Sequence, residues 1–576
     1  MPGPPLKIDA FLFLQRSDIA HYAATRPDVG EVPHLFIDAG LVEEAVKAGI
    51  DQRHFSYRPL PVGPHFHARV AQEANTRAAS IDQALTRERQ RLFGPAVLQG
   101  WDQGPLRLFF MRAMVAKYLG EVCDATVAEP LIGVFRPTRP QLFYFDSFLS
   151  TDLFTASSSR WRIVDHYETV ANWVPEPASH CFDFGQIASL AARASSGGQP
   201  WALTHMPTCY QHQERFVGEI GRRFPVNIDL PSAFWDIPVR RSAPLWARIA
   251  EIPRDHVSAR ALAYRERARQ VLEARLGDLI PNQAALREQA DLLAERCFVQ
   301  AVNFEGLSAA LRGTRPHFVL ADHDTGNNGP LFSVAAQLDA PITVLPHSAY
   351  PIMTLPHATR VRAVERYGFQ TPTQSVWGEP VETVGVRLKP PTTPPTRQRV
   401  GTVCLLLNTL YSQGLSHIDF AGMTRFHRAL AVLCRQHGAA LSVRLKPNGA
   451  AVMMAASAFE MSPEALLADL RLPIEQVAAQ TDLCIAYGEP TTALIEFMES
   501  GSHLLHSSEQ VWPSDYWTAP AFVADGTVRS RNDAATLAEV ATLLSDDALF
   551  RERAQAQRNR YAQRLAAGEA PLFAAA

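Results

Sequence analysis

Two carboxylates and two asparagines stand close together in the stretch VLADHDTGNNGP (Val319 to Pro330), directly after an apolar segment. A carboxylate can take a proton from a hydroxyl group, and we expect Asp322, with Asp324 as second choice, to act as a general base. Asn327 and Asn328 are candidates for binding a substrate. The alternative interpretation is that Asp324 and the asparagines only form the hydrogen bonds of a turn.

A histidine and a serine follow the next apolar segment, PITVLP (Pro341 to Pro346). A lone histidine is commonly a structural residue, but His347 comes one loop after Asp322, and imidazole can act as an acid, a base or a ligand. We therefore expect His347 to be a catalytic residue; the resemblance described below implies that it binds the donor or the leaving group and that Ser348 binds the donor.

Two basic residues end a third apolar segment in the motif RLKPNG, where Arg444 and Lys446 are separated by one residue. Alternate residues of a strand point to the same face, so these two cations are expected to lie together. A guanidinium and an ammonium group in this arrangement are suited to binding phosphate. Asn408, at the end of the segment VGTVCLLLN, is a further candidate for the same nucleotide site.

The fourth motif, YGEPTTALIEF, places a predicted helix directly after a predicted strand. A helix that starts at residues 490–492 presents free backbone N–H groups, and the hydroxyls of Thr491 and Thr492 would complete an anion site. Glu489 is the candidate for binding ribose hydroxyls. A threonine that serves only as the N-cap of the helix is the alternative, and it is compatible with anion binding.

These motifs require strands that end at one edge of a sheet, because ligands bind at the carboxyl ends of parallel strands. Short apolar segments alternate with helical patterns along the chain, which predicts an α/β protein with parallel sheets. The predicted strands are residues 8–14, 34–40, 54–60, 141–146, 160–167, 341–346, 400–408, 439–447 and 482–488, together with WALTH and HLLHS.

A proline-rich segment, LKPPTTPPTRQR (Leu388 to Arg399), has four prolines and no apolar periodicity, which is typical of an extended linker. It predicts an N-terminal domain of residues 1–387, a linker of residues 388–399 and a C-terminal domain of residues 400–545. Residues 546–576 are predicted as a C-terminal helix.

The composition excludes several classes of protein. With a net charge of −3 and no basic block, the 576-residue chain is not expected to bind nucleic acid. Its seven cysteines are scattered without a CxxC pair, which indicates buried thiols in a reducing compartment and no zinc site.

We find no signal peptide and no apolar run of about 18 residues, so we expect a cytoplasmic enzyme and leave peripheral membrane association open. Phosphate-loop, dinucleotide-binding, metalloprotease and hydrolase motifs are missing as well.

With the four motifs in this order, the sequence resembles the GT-B glycosyltransferases, whose two Rossmann-like domains have parallel sheets that face a central cleft. The resemblance covers residues 316–543, through LPHS, SVWGEPVETVGV, the proline-rich linker and DLCIAYGEPTTALIEFMESG. The first 310 residues share only the α/β pattern and are enlarged by helical insertions. The resemblance implies that the N-terminal domain binds the acceptor and that RLKPNG and GEPTT in the C-terminal domain bind the phosphate and ribose of a nucleotide sugar.

We therefore expect an inverting, metal-independent bacterial glycosyltransferase without a cofactor, active in polysaccharide biosynthesis. Lys446, Arg444 and the helix start at Thr491 would stabilise the departing nucleotide phosphate. The donor would be a CMP-linked acidic sugar such as sialic acid or Kdo, or a UDP- or GDP-sugar. The acceptor would be a hydroxyl of a glycan or of another cell-surface molecule. Asp18 and His21, in QRSDIAH after the first strand, are further candidates for acceptor binding or for the base.

Other functions stay open at this point. The spacing of DHD fits a metal-dependent transferase, although it lies far from the phosphate motifs. Retaining relatives often carry paired glutamates whose spacing is one residue longer than that of Glu489 and Glu496. A sugar-nucleotide epimerase or hydrolase on the same fold, and a non-catalytic nucleotide- or carbohydrate-binding protein, are the alternatives.

Overall fold

The computed structural model describes a large part of the chain, interrupted by several gaps. The described residues are 8–14, 16–27, 31–36, 39–57, 66–103, 106–107, 109–110, 113–114, 131–137, 161–168, 180–205, 220–230, 246–248, 251–253, 258–280, 282–322, 328–345, 361–366, 382–386, 396–407, 420–445, 452–488, 493–509 and 526–568.

The first strands of the chain form a parallel sheet. They are β1 (Ala10–Phe13), β2 (His34–Phe36), β3 (Phe55–Tyr57), β4 (Ile132–Pro137) and β5 (Trp161–Tyr167), with helices α1 (Arg16–Thr25) and α2 (Ala39–Lys47) between the first three. The order of the strands across the sheet is β3-β2-β1-β4-β5. All four residues of β1, AFLF, are buried, which is the pattern of a parallel strand covered on both faces. Phe11, Phe13, Phe36 and Phe135 form the core beside this strand.

A larger sheet of seven strands follows, accompanied by a short antiparallel pair. The elements of this part are α3 (Phe66–Phe93), β6 (His180–Phe182), α4 (Phe184–Ser196), β7 (Trp201–His205), β8 (Val226–Asp229), β9 (Trp246–Arg248), β10 (Glu251–Pro253), α5 (Ala259–Leu276), α6 (Gln283–Ala310), β11 (Phe318–Asp322), α7 (Asn328–Gln337), β12 (Ile342–Leu345), β13 (Val361–Arg366) and β14 (Glu382–Val386). The strand order is β14-β13-β12-β11-β7-β8-β9, and the antiparallel pair is β10-β6. The core is formed by α4, α6 and α7 together with the apolar residues of β7 and β11.

The third sheet is again parallel and has five strands. Its elements are β15 (Thr402–Leu407), α8 (Phe420–Gln436), β16 (Ala440–Arg444), α9 (Val452–Ala458), α10 (Pro463–Arg471), α11 (Ile474–Gln480), β17 (Leu483–Tyr487), α12 (Ala493–Glu499), β18 (His503–Ser507), β19 (Arg529–Arg531), α13 (Asp533–Ser545) and α14 (Asp547–Gly568). The strand order is β16-β15-β17-β18-β19. Strand β17, LCIAY, is buried throughout. The predicted C-terminal helix is therefore present as α14.

The chain divides into two compact units. Unit 1 consists of Met1–Ala71, Met111–Ala171 and Thr392–Arg564 and contains the first and the third sheet, whose helices α2 and α9 contact each other. Unit 2 consists of Gln72–Phe110, Asn172–Pro391 and Leu565–Ala576 and contains the seven-stranded sheet. Residues 1–387, predicted as one domain, thus carry two sheets, and the two units cut across that range.

The predicted α/β class with parallel sheets is confirmed. Nearly all predicted strands are present within one to three residues, whereas residues 141–146 and most of the predicted linker lie outside the described residues. Within the described ranges, we find no helix with the length and apolar character needed to cross a membrane.

A buried glutamine of α14 bonds to the third sheet. The side-chain oxygen of Gln557 accepts from the backbone N of Leu504 at 2.7 Å, and its amide nitrogen donates to the carbonyls of Leu504 and Thr527 at 2.9 and 3.0 Å. The amide of Gln557 therefore has partners for its oxygen and for both of its hydrogens.

Candidate functional site

Each parallel sheet has one point at which the chain order reverses direction, and ligands of α/β proteins bind outside the carboxyl ends of the strands at such a point. The reversal lies between β1 and β4 in the first sheet, between β7 and β11 in the second, and between β15 and β17 in the third. Among the predicted residues, His21 follows β1 within α1, and Asp322 ends β11. In the sequence, Asn408 comes one residue after β15 and Glu489 two residues after β17.

The third sheet brings together the ends of the two strands at its reversal. Leu407 at the end of β15 is paired with Tyr487 at the end of β17. Asn408 comes one residue after β15, Lys446 two residues after β16 and Glu489 two residues after β17, and all three lie outside the described residues, as do Thr491 and Thr492. The strand ends that precede Asn408 and Glu489 in the sequence therefore lie side by side at one edge of the sheet.

The chain leaves β17 through a glycine that is held on two sides. Gly488 has a φ of +74°, a conformation that favours glycine. Its N–H donates to the carbonyl of Ser507 at 2.8 Å, and its carbonyl accepts from Nε2 of His506 at 2.7 Å. The start of the motif GEPTT is thus fixed by the neighbouring strand β18.

His506 is fully buried, and burial lowers its pKa below the ordinary value. Because a carbonyl can only accept, Nε2 carries the proton, and Nδ1 accepts from the hydroxyl of Ser530 at 2.7 Å. His506 therefore acts as a neutral structural residue.

Asp533 joins the ends of the two neighbouring strands. Its carboxylate accepts from the hydroxyl of Ser507 at 2.8 Å and from the hydroxyl of Tyr487 at 3.1 Å, and its backbone N donates to Glu509 at 2.9 Å. The edge of the third sheet is therefore supported by hydrogen bonds from β17, β18 and α13, which fixes the strand ends that precede the predicted donor residues.

Arg444 has a structural contact that the sequence did not predict. Its side chain is largely buried, and Nη1 donates to the carbonyls of Asp469 and Leu470 at the end of α10, at 2.9 and 2.8 Å. A cation at the C-terminus of a helix satisfies free carbonyls and interacts favourably with the helix dipole. Burial lowers the pKa of Arg444. Contact between Arg444 and a donor phosphate stays a prediction.

The helix predicted to start at residues 490–492 is α12, which begins at Ala493 in the described residues and has seven residues. A helix of two turns contributes only a small dipole field. The hydroxyls of Thr491 and Thr492, rather than the helix, would therefore have to carry the predicted binding of an anion.

Asp18 stabilises the chain where β1 passes into α1. It is fully buried, and its carboxylate accepts from the backbone N of Leu14 at 2.9 Å and from the hydroxyl of Tyr167 at 2.7 Å. The hydroxyl of Ser17 donates in turn to the Tyr167 oxygen at 2.7 Å. The prediction that Asp18 contacts an acceptor is therefore corrected: its carboxylate is buried and bonded to the protein.

His21 is hydrogen-bonded to Asp165 beside the reversal of the first sheet. Its Nε2 lies 3.0 Å from Oδ2 of Asp165, and the two side chains are 15% and 48% exposed. The imidazole ring stacks on Tyr167 at 4.8 Å between centroids with an angle of 17°, and meets Phe135 edge-on at 4.8 Å. Two rings and one carboxylate thus fix the plane and the direction of the imidazole.

This geometry decides which nitrogen of His21 can accept a proton. The carboxylate of Asp165 accepts a hydrogen bond and so keeps the proton on Nε2. Nδ1 then carries the lone pair, and no described residue donates to it. A part-exposed imidazole with an orienting carboxylate can act as a general base.

The second sheet brings β11 and β7 together, with Ala321 paired to His205. Asp322 ends β11 and Asn328 begins α7, and only their backbone positions are described. Asp324, Asn327, His347 and Ser348 lie outside the described residues, so their predicted roles stay predictions.

Sequence reasoning missed Asp165, Tyr167, His506 and Asp533. Asp165 and Tyr167 lie in the correctly predicted strand of residues 160–167, but alternation groups them with Trp161 and Ile163, so no polar face of the strand marked them. Asp533 is the first residue of a predicted helical region and gives no signal either.

No protein-family model and no curated protein matches the chain. Among solved structures the chain is similar to the calicheamicin glycosyltransferase CalG4, with a TM-score of 0.31 and 14% identity over 64% of this chain and 94% of that one. It is also similar to the glycosyltransferase of kitacinnamycin (TM-score 0.32, 12% identity, 64% and 95% covered). A third similar structure is the UDP-forming α,α-trehalose-phosphate synthase from Burkholderia vietnamiensis. Its TM-score is 0.34 and its sequence identity is 11%, over 64% of this chain and 100% of that one. Scores of this size reflect partial superposition and by themselves assign no activity to this chain.

Proposed function

We propose that the chain is a glycosyltransferase that moves a sugar from a nucleotide-activated donor to a hydroxyl group of an acceptor. The observation that carries the proposal is the pair of His21 and Asp165, a part-exposed imidazole oriented by a carboxylate beside the reversal of a parallel sheet. An oriented imidazole is the general base that a hydroxyl nucleophile requires. His21 therefore becomes our first choice of base, before Asp322 and Asp324.

In the proposed reaction, Nδ1 of His21 takes the proton of the acceptor hydroxyl while the oxygen forms a bond to the anomeric carbon. The bond between that carbon and the phosphate oxygen of the donor breaks, and its electron pair leaves with the nucleotide. The carboxylate of Asp165 stabilises the imidazolium that forms. Attack opposite the leaving group inverts the anomeric centre, and no step requires a metal ion.

The proposed donor site lies at the reversal of the third sheet. Asn408 and Glu489 come one and two residues after the paired strands β15 and β17, which supports their assignment to one site. Lys446 follows β16, and its charge would offset the negative charge that develops on the departing phosphate. Glu489 would bind the ribose, and the hydroxyls of Thr491 and Thr492 would bind the phosphate.

The test of the donor site is the thermal unfolding of the purified chain with CMP, CDP, UDP, GDP and ADP, each with magnesium and with EDTA. A ligand that binds only the folded chain raises its melting temperature. Stabilisation by one nucleotide in EDTA is the expected result, and a response to CMP would favour a donor with an acidic sugar. If no nucleotide raises the melting temperature, the donor site is wrong.

Turnover is then measured with the sugar nucleotide of the base that binds. Release of the nucleotide only in the presence of a hydroxyl acceptor is expected of a transferase. Equal consumption without an acceptor would instead indicate a hydrolase or an epimerase, and binding without turnover would indicate a non-catalytic binding protein. The variants His21→Ala and Asp322→Asn distinguish the two candidate bases. Only His21→Ala is expected to abolish sugar transfer, and it should leave nucleotide binding intact.

A further inference from the structure

We propose that unit 2 contains a binding site of its own for a neutral polyhydroxylated ligand, a carbohydrate, recognised by the side-chain amides of Gln103, Gln300 and Asn303. The proposed transferase takes its first-choice base from the first sheet and its donor site from the third sheet. The site in unit 2 does not rest on the proposed function, because it can bind without a nucleotide and without turnover.

The three amides are buried and have no partner in the protein. Gln103, Gln300 and Asn303 are 1%, 0% and 1% exposed, and neither the oxygen nor the nitrogen of any of these amides is hydrogen-bonded to a described protein atom. Buried polar side chains are almost always hydrogen-bonded, so a group of three without partners requires an explanation.

The same chain satisfies a buried amide fully where that amide has a structural role. Gln557 is also buried, and it makes three hydrogen bonds to backbone groups. Gln300 and Asn303 lack partners for both of their amide atoms, and polar groups from outside the protein would satisfy them.

Two of the amides lie on one stripe of α6. Phe304 and Leu307 of this helix, and Leu311 directly after it, pack in the core of the seven-stranded sheet. Asn303 and Gln300 continue the same face, because residues three and four apart are neighbours on a helix. The face that α6 turns to the sheet thus changes from apolar to polar along the helix.

This change occurs near the carboxyl edge of the sheet. Helix α6 ends just before β11, at the amino edge, so its earlier residues lie progressively towards the carboxyl edge. At 1.5 Å per residue, Gln300 lies about 15 Å before the end of the helix. A five-residue strand such as β11 spans about 17 Å. The polar stripe therefore reaches the edge at which parallel sheets bind ligands.

The third amide, Gln103, comes to the same edge through its neighbour Trp101. The ring of Trp101 lies 5.4 Å from that of Phe304, and its Nε1 donates to Ser333 of α7 at 2.9 Å. A Cβ on Gly329, in the first turn of α7, would lie 2.4 Å from the Trp101 ring, so this turn packs directly on the tryptophan. Helix α7 begins where β11 ends.

The segment that carries Gln103 is held by a buried carboxylate. Asp82 accepts from the backbone N of Gly100 at 2.8 Å and from the backbone N of Asp102 at 3.0 Å. It also pairs with the buried Arg89 at 3.0 Å. The position of Gln103 next to α6 and α7 is therefore fixed before any ligand binds.

The amides select the chemistry of the ligand. A carboxamide presents an acceptor oxygen and two N–H donors side by side, which matches two adjacent hydroxyls, of which one donates and one accepts. The three amides carry no charge, and the nearby carboxylates of Asp82 and Asp102 are both paired with the buried Arg89. A neutral sugar fits these requirements better than a phosphate or a carboxylate.

The experiment measures binding of glucose, galactose, mannose and lactose to the full chain without nucleotide, by saturation-transfer NMR and calorimetry, with glucuronate as the charged comparison. Gln300→Leu and Asn303→Leu remove the amides and keep similar volumes, and Gln283→Leu, at the exposed start of α6, is the control. We expect at least one neutral sugar to bind, and at least about tenfold weaker binding in both amide variants but not in the control.

Two results would overturn the proposal. One is that no neutral sugar binds, which would mean that the amides hold internal water only. The other is binding that is unchanged in both amide variants. Circular dichroism checks the fold of each variant, and if a leucine variant fails to fold, the methionine variant of the same position replaces it. Stabilisation by nucleotides, measured on the same variants, separates a failure of this site from a failure of the donor site.

Discussion

Replacement of Asp165 by asparagine tests whether its contact with His21 serves catalysis. The asparagine would keep the size of the side chain but lose the charge, so the proton would no longer be held on Nε2 and the imidazolium would lose its stabilisation. General-base catalysis contributes about 100-fold to 10,000-fold to rates. We therefore expect kcat/KM for sugar transfer to fall by about 100-fold or more, which is about 3 kcal/mol of transition-state stabilisation.

The same substitution should have little effect on stability. The two side chains are 15% and 48% exposed, and ion pairs of this kind contribute about 0 to 1 kcal/mol to folding. The free energy of unfolding in urea is thus expected to change by less than about 1 kcal/mol. Activity and stability should separate, which would not happen if Asp165 only supported the fold.

The assay compares Asp165→Asn with the wild-type chain and with Glu460→Gln, which removes an exposed ion pair with Arg428 at 3.1 Å in the same unit. The control is expected to keep full activity. Nitrogen NMR of His21 gives a second readout, since loss of the carboxylate should shift the tautomer away from protonated Nε2. Transfer rates within about threefold of wild type, or equal losses in both variants, would refute the assignment of His21 as an oriented base.

Three further predictions concern stability. Gln557→Leu should lower the free energy of unfolding in urea by about 2 to 4 kcal/mol, because the backbone groups that it bonds lose their partners, whereas the exposed Gln283→Leu should not. Burial lowers the pKa of His503 from its ordinary 6.5 to about 4, so the unfolded chain binds this proton at a higher pH than the folded chain. Neutral His503 therefore contributes about 3 kcal/mol to the free energy of unfolding above pH 6.5, and this contribution is lost as the pH falls from 6.5 to about 4. In urea unfolding measured over this pH range, His503→Gln should not show the loss. Gly306→Ala should lower the melting temperature, because a Cβ would lie 2.2 Å from the ring of Phe184, and the cost of overpacking, about 1 to 3 kcal/mol, exceeds the gain of about 1 kcal/mol in helix propensity.

The buried parallel strands were predictable because a strand that is covered on both faces consists of a continuous run of apolar residues. Strand β17, LCIAY, is a continuous apolar run bounded by polar residues. Strand β13, VRAVER, was missed because its charged residues interrupt the apolar pattern, and β9 and β10 were missed because three residues give no periodicity. Grouping the first sheet with the third depends on contacts between distant segments, which local patterns do not contain.

The residues of the candidate site were likewise predictable from the sequence only where local patterns were sufficient. The position of His21 after a buried strand was enough to select it as a candidate from the sequence. Its partner Asp165 lies 144 residues away, so the pair exists only after β5 has joined β4 at the edge of the sheet. Arg444 illustrates the opposite case, since a basic residue at a strand end has a typical phosphate-binding position, yet its guanidinium bonds to the end of α10.

The bonds from Gln557 to Leu504 also protect the third sheet from aggregation. Strand β19 has three residues and pairs only with the last three residues of β18, so the first part of β18 extends beyond its neighbour. An uncovered strand edge offers free N–H and C=O groups to a strand of another molecule. The amide of Gln557 occupies both groups of Leu504 and thereby replaces one residue of the missing strand. Loss of α14 should therefore leave both backbone groups of Leu504 open to a strand of another molecule, so that the shortened chain self-associates.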